Sequence, residues 1–209
     1  MRIKTQEEVW DAIAPYWNEY KKRTFPVLEN FLKEKNGKIL DLGCGSGRNC
    51  IKLENNVVCY CVDFSSEMLK FAEKNLKEYG VKGEFIHSKS SKIPFDGDFF
   101  DYALCYAMLH CLESKEERVA TLKELLRTLK KNGEALITTW GRGSKRIKNR
   151  PESGYVPWTL EKSGIKVKRY NYIYEYDELK EEIESVGFEI VKMWEDYNIN
   201  VMVKKPMDV

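Results

Sequence analysis

Ile39-Leu40-Asp41-Leu42-Gly43-Cys44-Gly45-Ser46-Gly47-Arg48 is the stretch on which the reading of this chain turns. An apolar run enters an acidic residue, then glycines at every second position, then a segment that reads as a helix. Glycines let the backbone approach a ligand closely, and a helix start presents free N–H groups to an anion. A dinucleotide fingerprint needs a third glycine three positions after the second. Counted from Gly43 that position is Arg48, and counted from Gly45 it is Cys50. Neither register fits.

Outward from this loop, strand-like and helix-like segments alternate. Residues 5–20 and 25–35 read as helices, the second with Pro26 near its first turn. Residues 38–42 read as a strand, 49–54 as a short helix and 57–62 as a strand. Ser65 or Ser66 can cap a helix that runs to Tyr79 and stops at Gly80. Strands are expected at 84–87 and 99–105, a helix at 116–130 with Val119, Leu122, Leu125, Leu126 and Leu129 on one face, and a strand at 133–140. Pro151, Gly154, Pro157 and Gly164 are then expected to break any regular element. A helix at 177–185 and strands at 188–195 and 198–203 close the chain. This order predicts one α/β domain with a mainly parallel, doubly covered sheet and a final antiparallel hairpin.

The 209 residues, 43% hydrophobic and 33% charged, suit one such domain with a sizeable core. No run of about 18 apolar residues occurs, which excludes a membrane-spanning helix. Residues 1–8 turn charged at once, without the apolar centre of a signal peptide, so the chain reads as cytosolic. The six cysteines contain no C-x-x-C and are joined by only two histidines, so no metal site is expected; they read as reduced core filler. The net charge of +2 hides an asymmetry. Residues 141–170 hold nine basic and two acidic side chains, a local charge of +7 on a body of −5. Such a segment is either a polyanion contact or a solvated lysine-rich loop.

The D-x-G-x-G-x-G run resembles the first motif of class I S-adenosylmethionine (SAM) methyltransferases. The resemblance implies a Rossmann-like fold with a seven-stranded sheet, and SAM as cofactor. It implies that Asp41, Gly43, Cys44, Gly45 and Gly47 wrap the methionine end, with Asp41 supporting the ammonium. Asp63, ending the second strand 16 residues after Gly47, can accept two hydrogen bonds from ribose hydroxyls. Phe64 and Cys105 join it as cofactor neighbours. Where many relatives carry an acidic residue for the adenine, this chain has His87-Ser88-Lys89-Ser90-Ser91, which leaves Ser90 or backbone groups for that task.

Features outside that core resemble, in order and spacing, the tRNA wobble-uridine carboxymethyl methyltransferases. They are Trp10-Asp11-Ala12-Ile13-Ala14-Pro15-Tyr16-Trp17, Ala107-Met108-Leu109-His110-Cys111, Val156-Pro157-Trp158 and Arg169-Tyr170-Asn171-Tyr172. The family's paired histidines stand here as His110-Cys111, and its substrate-side arginine aligns best with Lys21, with Arg23 two residues on. A carboxylate acceptor is already ionised at neutral pH and needs no base. Lys21, Arg23 and Arg142 are candidates to clamp it, and His110 to donate a hydrogen bond; a packing role serves His110 equally well. Trp140 and Trp158 are candidates to stack on unpaired bases, although Trp140 also fits a strand-end core position. Lys145, Arg146, Lys148, Arg169 and Tyr170 complete the expected RNA surface. The resemblance divides the single domain into a helical cap (1–36), a SAM-binding core (37–140), a basic insert (141–170) and a closing helix and strands (171–209). It further implies a small zinc-containing activator on an apolar sheet edge, for which Phe85 and Ile86 mark the candidate strand. Two other functions remain open. One is a small-molecule methyltransferase with the insert as a lid, and the other a tRNA-binding accessory protein that holds SAM without turnover.

Overall fold

The computed structural model describes residues 5–20, 23–53, 56–144, 147, 153–160 and 164–208. Helices α1 (Gln6–Tyr20) and α2 (Pro26–Leu32) precede strands β1 (Gly37–Leu42) and β2 (Val57–Asp63), helix α3 (Ser66–Glu78) and strands β3 (Lys82–His87) and β4 (Phe100–Tyr106). A 3-10 turn, Leu109–Cys111, leads to α4 (Lys115–Thr128) and β5 (Leu129–Thr139). Then come β6 (Gly154–Leu160), β7 (Ile165–Asn171), α5 (Tyr176–Ser185), β8 (Glu189–Glu195) and β9 (Ile199–Lys204).

Seven strands form one sheet in the order β3-β2-β1-β4-β5-β9-β8. The first five are parallel, and β9 pairs antiparallel with β5 and β8. Alternation along each strand divides the core. Leu40, Leu42, Tyr60 and Val62 pack with Leu122 and Leu125 of α4 and Ile183 of α5 on one face. Ile39, Cys59, Cys61 and Leu104 pack with Ala72 and Leu76 of α3 on the other. Ser65 is the residue that caps α3, accepting from the Met68 N–H at 3.1 Å, a bond worth about 1 kcal/mol. Asp11 of α1 accepts from Ser65 Oγ at 2.6 Å and from Glu67 N at 3.2 Å, so α1 is pinned over the start of α3. Among the described residues, no helix is long and apolar enough to cross a membrane.

Three expectations are corrected. First, residues 49–53 form turns and not a helix. Their backbone bonds, Cys50 N to Gly47 O and Leu53 N to Cys50 O, span three residues, while the Asn49 side chain turns inward to Asp41. Second, Cys50 and Cys59 are disulfide-bonded, with Cα atoms 6.6 Å apart. The turn after the glycine loop carries Cys50 onto the face of β2 that bears Cys59. The described free cysteines are Cys44, Cys61, Cys105 and Cys111. Asp41, Cys59 and Cys61 place ligand atoms within 4.8 Å of one another, but the Cys59 sulfur is engaged in the disulfide.

Third, the segment expected to be irregular contains a two-stranded antiparallel sheet, β6 paired with β7 from Gly154↔Asn171 to Leu160↔Ile165. Pro157 is tolerated because two paired strands are both edges, and an edge position has no second ladder to supply. Val167 of β7 is buried against Val9, Ile13 and Ala14 of α1. Gln6 of α1 donates to Lys168 O and accepts from Tyr170 N. The hairpin is thereby fixed to α1, and through α1 to α3.

Candidate active site

A cavity of about 720 Å³ opens at the carboxyl edge of β1, β2, β4 and β5. One half is built by the glycine loop. Gly43 (φ +71°) passes under Met108, whose Cγ would lie 2.1 Å from a Cβ placed on Gly43, so any side chain here closes the floor of the cavity. Gly45 N donates to Asp63 Oδ2 at 2.8 Å, and Ser65 N donates to Oδ1 at 2.9 Å. Asp63 therefore joins the loop to the start of α3. Its oxygens keep acceptor capacity for further donors, since an ionised carboxylate has about four lone-pair sites. Burial pushes its pKa up to about 6 against the lowering effect of those backbone bonds.

Asp63, Phe64, Gly43, Cys44, Gly45 and Ser90 all line the cavity. Ser90 Oγ lies 2.8 Å from Thr121 Oγ1, which fixes it on the wall. Asp41, Gly47 and Cys105 do not line it. Asp41 sits fully buried behind the loop and accepts from Asn49 Nδ2 at 3.0 and 3.2 Å, so it holds the loop's shape. Burial raises its pKa to about 7. Gly47 (φ +79°) lets the loop pack on α3, where a Cβ would lie 2.7 Å from Leu76 Cδ1 and 3.0 Å from Ala72 Cα. Cys105 is fully buried in β4, and burial lifts its thiol to about 12.

The other half of the cavity is aromatic. His110, 3% exposed, stacks on Trp140 with ring centroids 4.8 Å apart and planes at 19°. The His110 carbonyl accepts from Tyr172 N at 2.7 Å, which ties its 3-10 turn to the chain following β7. Arg169 and Trp158 project from the same face of the β6–β7 hairpin. The Arg169 guanidinium lies 4.2 Å from the Trp158 ring centroid and 5.6 Å from those of both Trp10 and Trp17. Trp17 in turn leans over the glycine loop, its Nε1 3.5 Å from the Cβ position of Gly45. A cation over aromatic faces is stabilised by about 0.5–2 kcal/mol, more as water is excluded.

Of the expected clamp residues, Arg142 lies off the cavity wall, its Nε 3.4 Å from Glu175 Oε1. Arg23 is exposed and also off the wall. Lys21, Lys145, Arg146 and Lys148 lie outside the described residues. Tyr170 does not line the cavity; its N–H is bound by Gln6. Among the described residues, the cations on the wall are Arg169, Arg48 and Lys89. Arg48 stands 5.0 Å from the Phe25 ring centroid, and burial lowers its pKa.

Several of these residues were given no site role from the sequence. Trp10 and Trp17 are seven apart, two turns on one face of α1, a spacing that signals a shared surface. Arg48 stood in view as the residue that breaks the dinucleotide register. Asn198 and Asn200, also on the wall, carry no sequence signal of their own.

Residues 39–133 match a family model described as a methyltransferase domain. The chain is 28% identical to the tRNA (carboxymethyluridine(34)-5-O)-methyltransferase of Schizosaccharomyces pombe, over 88% of this chain and 89% of that protein. Its fold is similar to that of a SAM-dependent methyltransferase from Methanosarcina mazei (TM-score 0.69, 23% identity, 88% of this chain and 99% of that one). It is also similar to a methyltransferase solved in complex with the Trm112 methyltransferase activator of Haloferax volcanii (TM-score 0.67, 14% identity, 98% and 100%). The matched methyltransferase domain and these relatives make the chain a SAM-dependent methyltransferase.

The residues present fit SAM. The side-chain-free loop at Gly43 and Gly45 would receive its methionine end, Asp63 its ribose hydroxyls, and Phe64 and Ser90 the adenine side. When bound, SAM supplies an electrophilic methyl group on a sulfonium.

Proposed function

We propose that this chain esterifies the carboxylate of a carboxymethyluridine at the wobble position of tRNA, in the cytoplasm. The observation that carries the proposal is the Arg169 guanidinium, held among Trp10, Trp17 and Trp158 on the cavity wall beside the cofactor loop. A partly buried cation among aromatic faces there suits an anionic acceptor. The activity named for the Schizosaccharomyces pombe relative has such an acceptor.

The chemistry asks little of an acid or base. The acceptor carboxylate is ionised at neutral pH. Arg169 orients it by charge-assisted hydrogen bonds, and the tryptophans exclude water that would compete for those bonds. His110, held against Trp140, closes the cavity beside the acceptor and positions it. Rate enhancement then rests on in-line positioning.

The RNA itself would be held by the basic residues expected at Lys145, Arg146 and Lys148, with Lys21 near the cap. A small zinc-containing activator would cover β3, an edge strand of the sheet that carries the partly buried Phe85 and Ile86. Phosphate contacts release counterions, so tRNA affinity should fall steeply with salt. Reversing Lys145, Arg146 and Lys148 to glutamate should weaken tRNA binding by about 10²-fold or more at low salt and leave SAM affinity unchanged. Equal tRNA affinity in that variant, with turnover of a small acid instead, would favour the small-molecule reading.

A further inference from the structure

The turn between β8 and β9 brings a set of amides to the cavity that nothing in the cofactor site uses. Asn200 pairs with Thr138 of β5 across the ladder. Paired residues of neighbouring strands share a face, so Asn200 and Thr138 lie on the same side of the sheet. Thr138 Oγ1 accepts from Ala107 N at 2.9 Å on the cavity side, and Asn200, Asn198 and Trp140 line the cavity itself.

Asn200 is only 2% exposed, and its orientation is fixed. Its Nδ2 donates to Asp196 Oδ1 and to the Asn198 carbonyl, both at 3.0 Å. Asp196 Oδ1 is itself held by the Asn198 N–H at 3.1 Å, and Asp196 N donates to the Asn198 carbonyl at 3.0 Å. A neutral amide has two N–H donors and one oxygen acceptor. With both donors spent on the turn, the Asn200 oxygen is the end presented to the cavity, and the described residues supply no donor to it. Beside it, Asn198 Oδ1 is buried without a partner among the described residues. A buried acceptor left without a donor is costly. A ligand with an N–H on a flat edge relieves that cost.

We infer that Asn200 reads the pyrimidine of the acceptor nucleotide by taking the N3–H of uracil on its Oδ1. This rests on the wobble-uridine reading above and adds its base selectivity. Unpaired bases are read along their Watson–Crick edge by such polar side chains. Uracil carries a donor at N3, whereas cytosine, of nearly the same shape, carries a lone pair there. Cytosine would set acceptor against acceptor, and a site built around a hydrogen bond rejects a partner that cannot make it.

The test uses the full chain with its activator and two anticodon stem-loop RNAs. One bears 5-carboxymethyluridine at the wobble position and the other 5-carboxymethylcytidine. Binding in the presence of S-adenosylhomocysteine and kcat/KM for methyl transfer are both measured. The wild-type protein should prefer the uridine RNA by about 10- to 100-fold in each. Asn200→Ala should lose most of that preference while its SAM affinity stays the same; a merely structural Asn200 would weaken both RNAs alike. Equal binding of the two RNAs by the wild-type protein, or full preference retained in Asn200→Ala, overturns the inference. If Asn200→Ala does not fold, the wild-type comparison decides alone. If the wild-type protein prefers uridine in binding but transfers no methyl group, the esterification reading fails and the uracil subsite stands.

Discussion

Replacing Asp63 with alanine is expected to weaken SAM binding by roughly 100-fold or more, the loss of two charge-assisted hydrogen bonds to vicinal hydroxyls. The change also releases Gly45 N and Ser65 N, the two donors that Asp63 now satisfies. Calorimetry with SAM or S-adenosylhomocysteine reads the effect directly. Asp63→Asn, which keeps the shape, separates the ribose contact from the loop anchor. Unchanged affinity in both variants would remove Asp63 from the cofactor site.

The same carboxylate gives the binding a pH dependence of known sign. Its pKa in the folded protein, about 6, lies above the ordinary aspartate value because burial disfavours the charge. In the empty protein this group therefore favours folding in its protonated form, and that contribution declines as pH rises from about 4 to 6. Cofactor hydroxyls donate to the ionised form and draw the pKa back down. SAM affinity should thus be about tenfold weaker at pH 5 than at pH 7.5.

The second large effect belongs to Arg169. Arg169→Gln should lower kcat/KM for a carboxylate acceptor by about 10²- to 10³-fold, with SAM affinity unaltered, since the glycine-loop half of the cavity is built by other residues. Arg169→Lys should recover only part of the loss. An ammonium keeps the charge but lacks the planar fork that stacks on Trp158 and grips a carboxylate with two bonds. Wild-type turnover in Arg169→Gln would move the acceptor elsewhere in the cavity, toward Arg48.

The sheet and the glycine-loop wall of the cavity were legible because each depends on local chemistry. The glycines at 43 and 45, the acidic end of β2 and the Ser65 cap act within a few residues of themselves. What was not legible depends on contacts distant in sequence. Residues 49–53 look helical until Asn49 is drawn to Asp41 and Cys50 to Cys59. The β6–β7 hairpin went unread although Ile165-Lys166-Val167-Lys168 alternates strictly, with Val167 buried and both lysines exposed. Pro157 and Gly164 read as breakers, yet the first sits on an edge strand and the second, at φ +66°, is in the turn. Charge alone nominated Arg142, but only the fold reveals Glu175 at its side. Asn200 gains its meaning from the Asp196–Asn198 turn that spends its donors, an arrangement no motif encodes.

Mass spectrometry of tRNA nucleosides from cells lacking this protein tests most directly whether it transfers a methyl group to a wobble-uridine carboxylate. In those cells the methyl ester of carboxymethyluridine should disappear and the free acid accumulate. Unchanged ester would contradict that transfer.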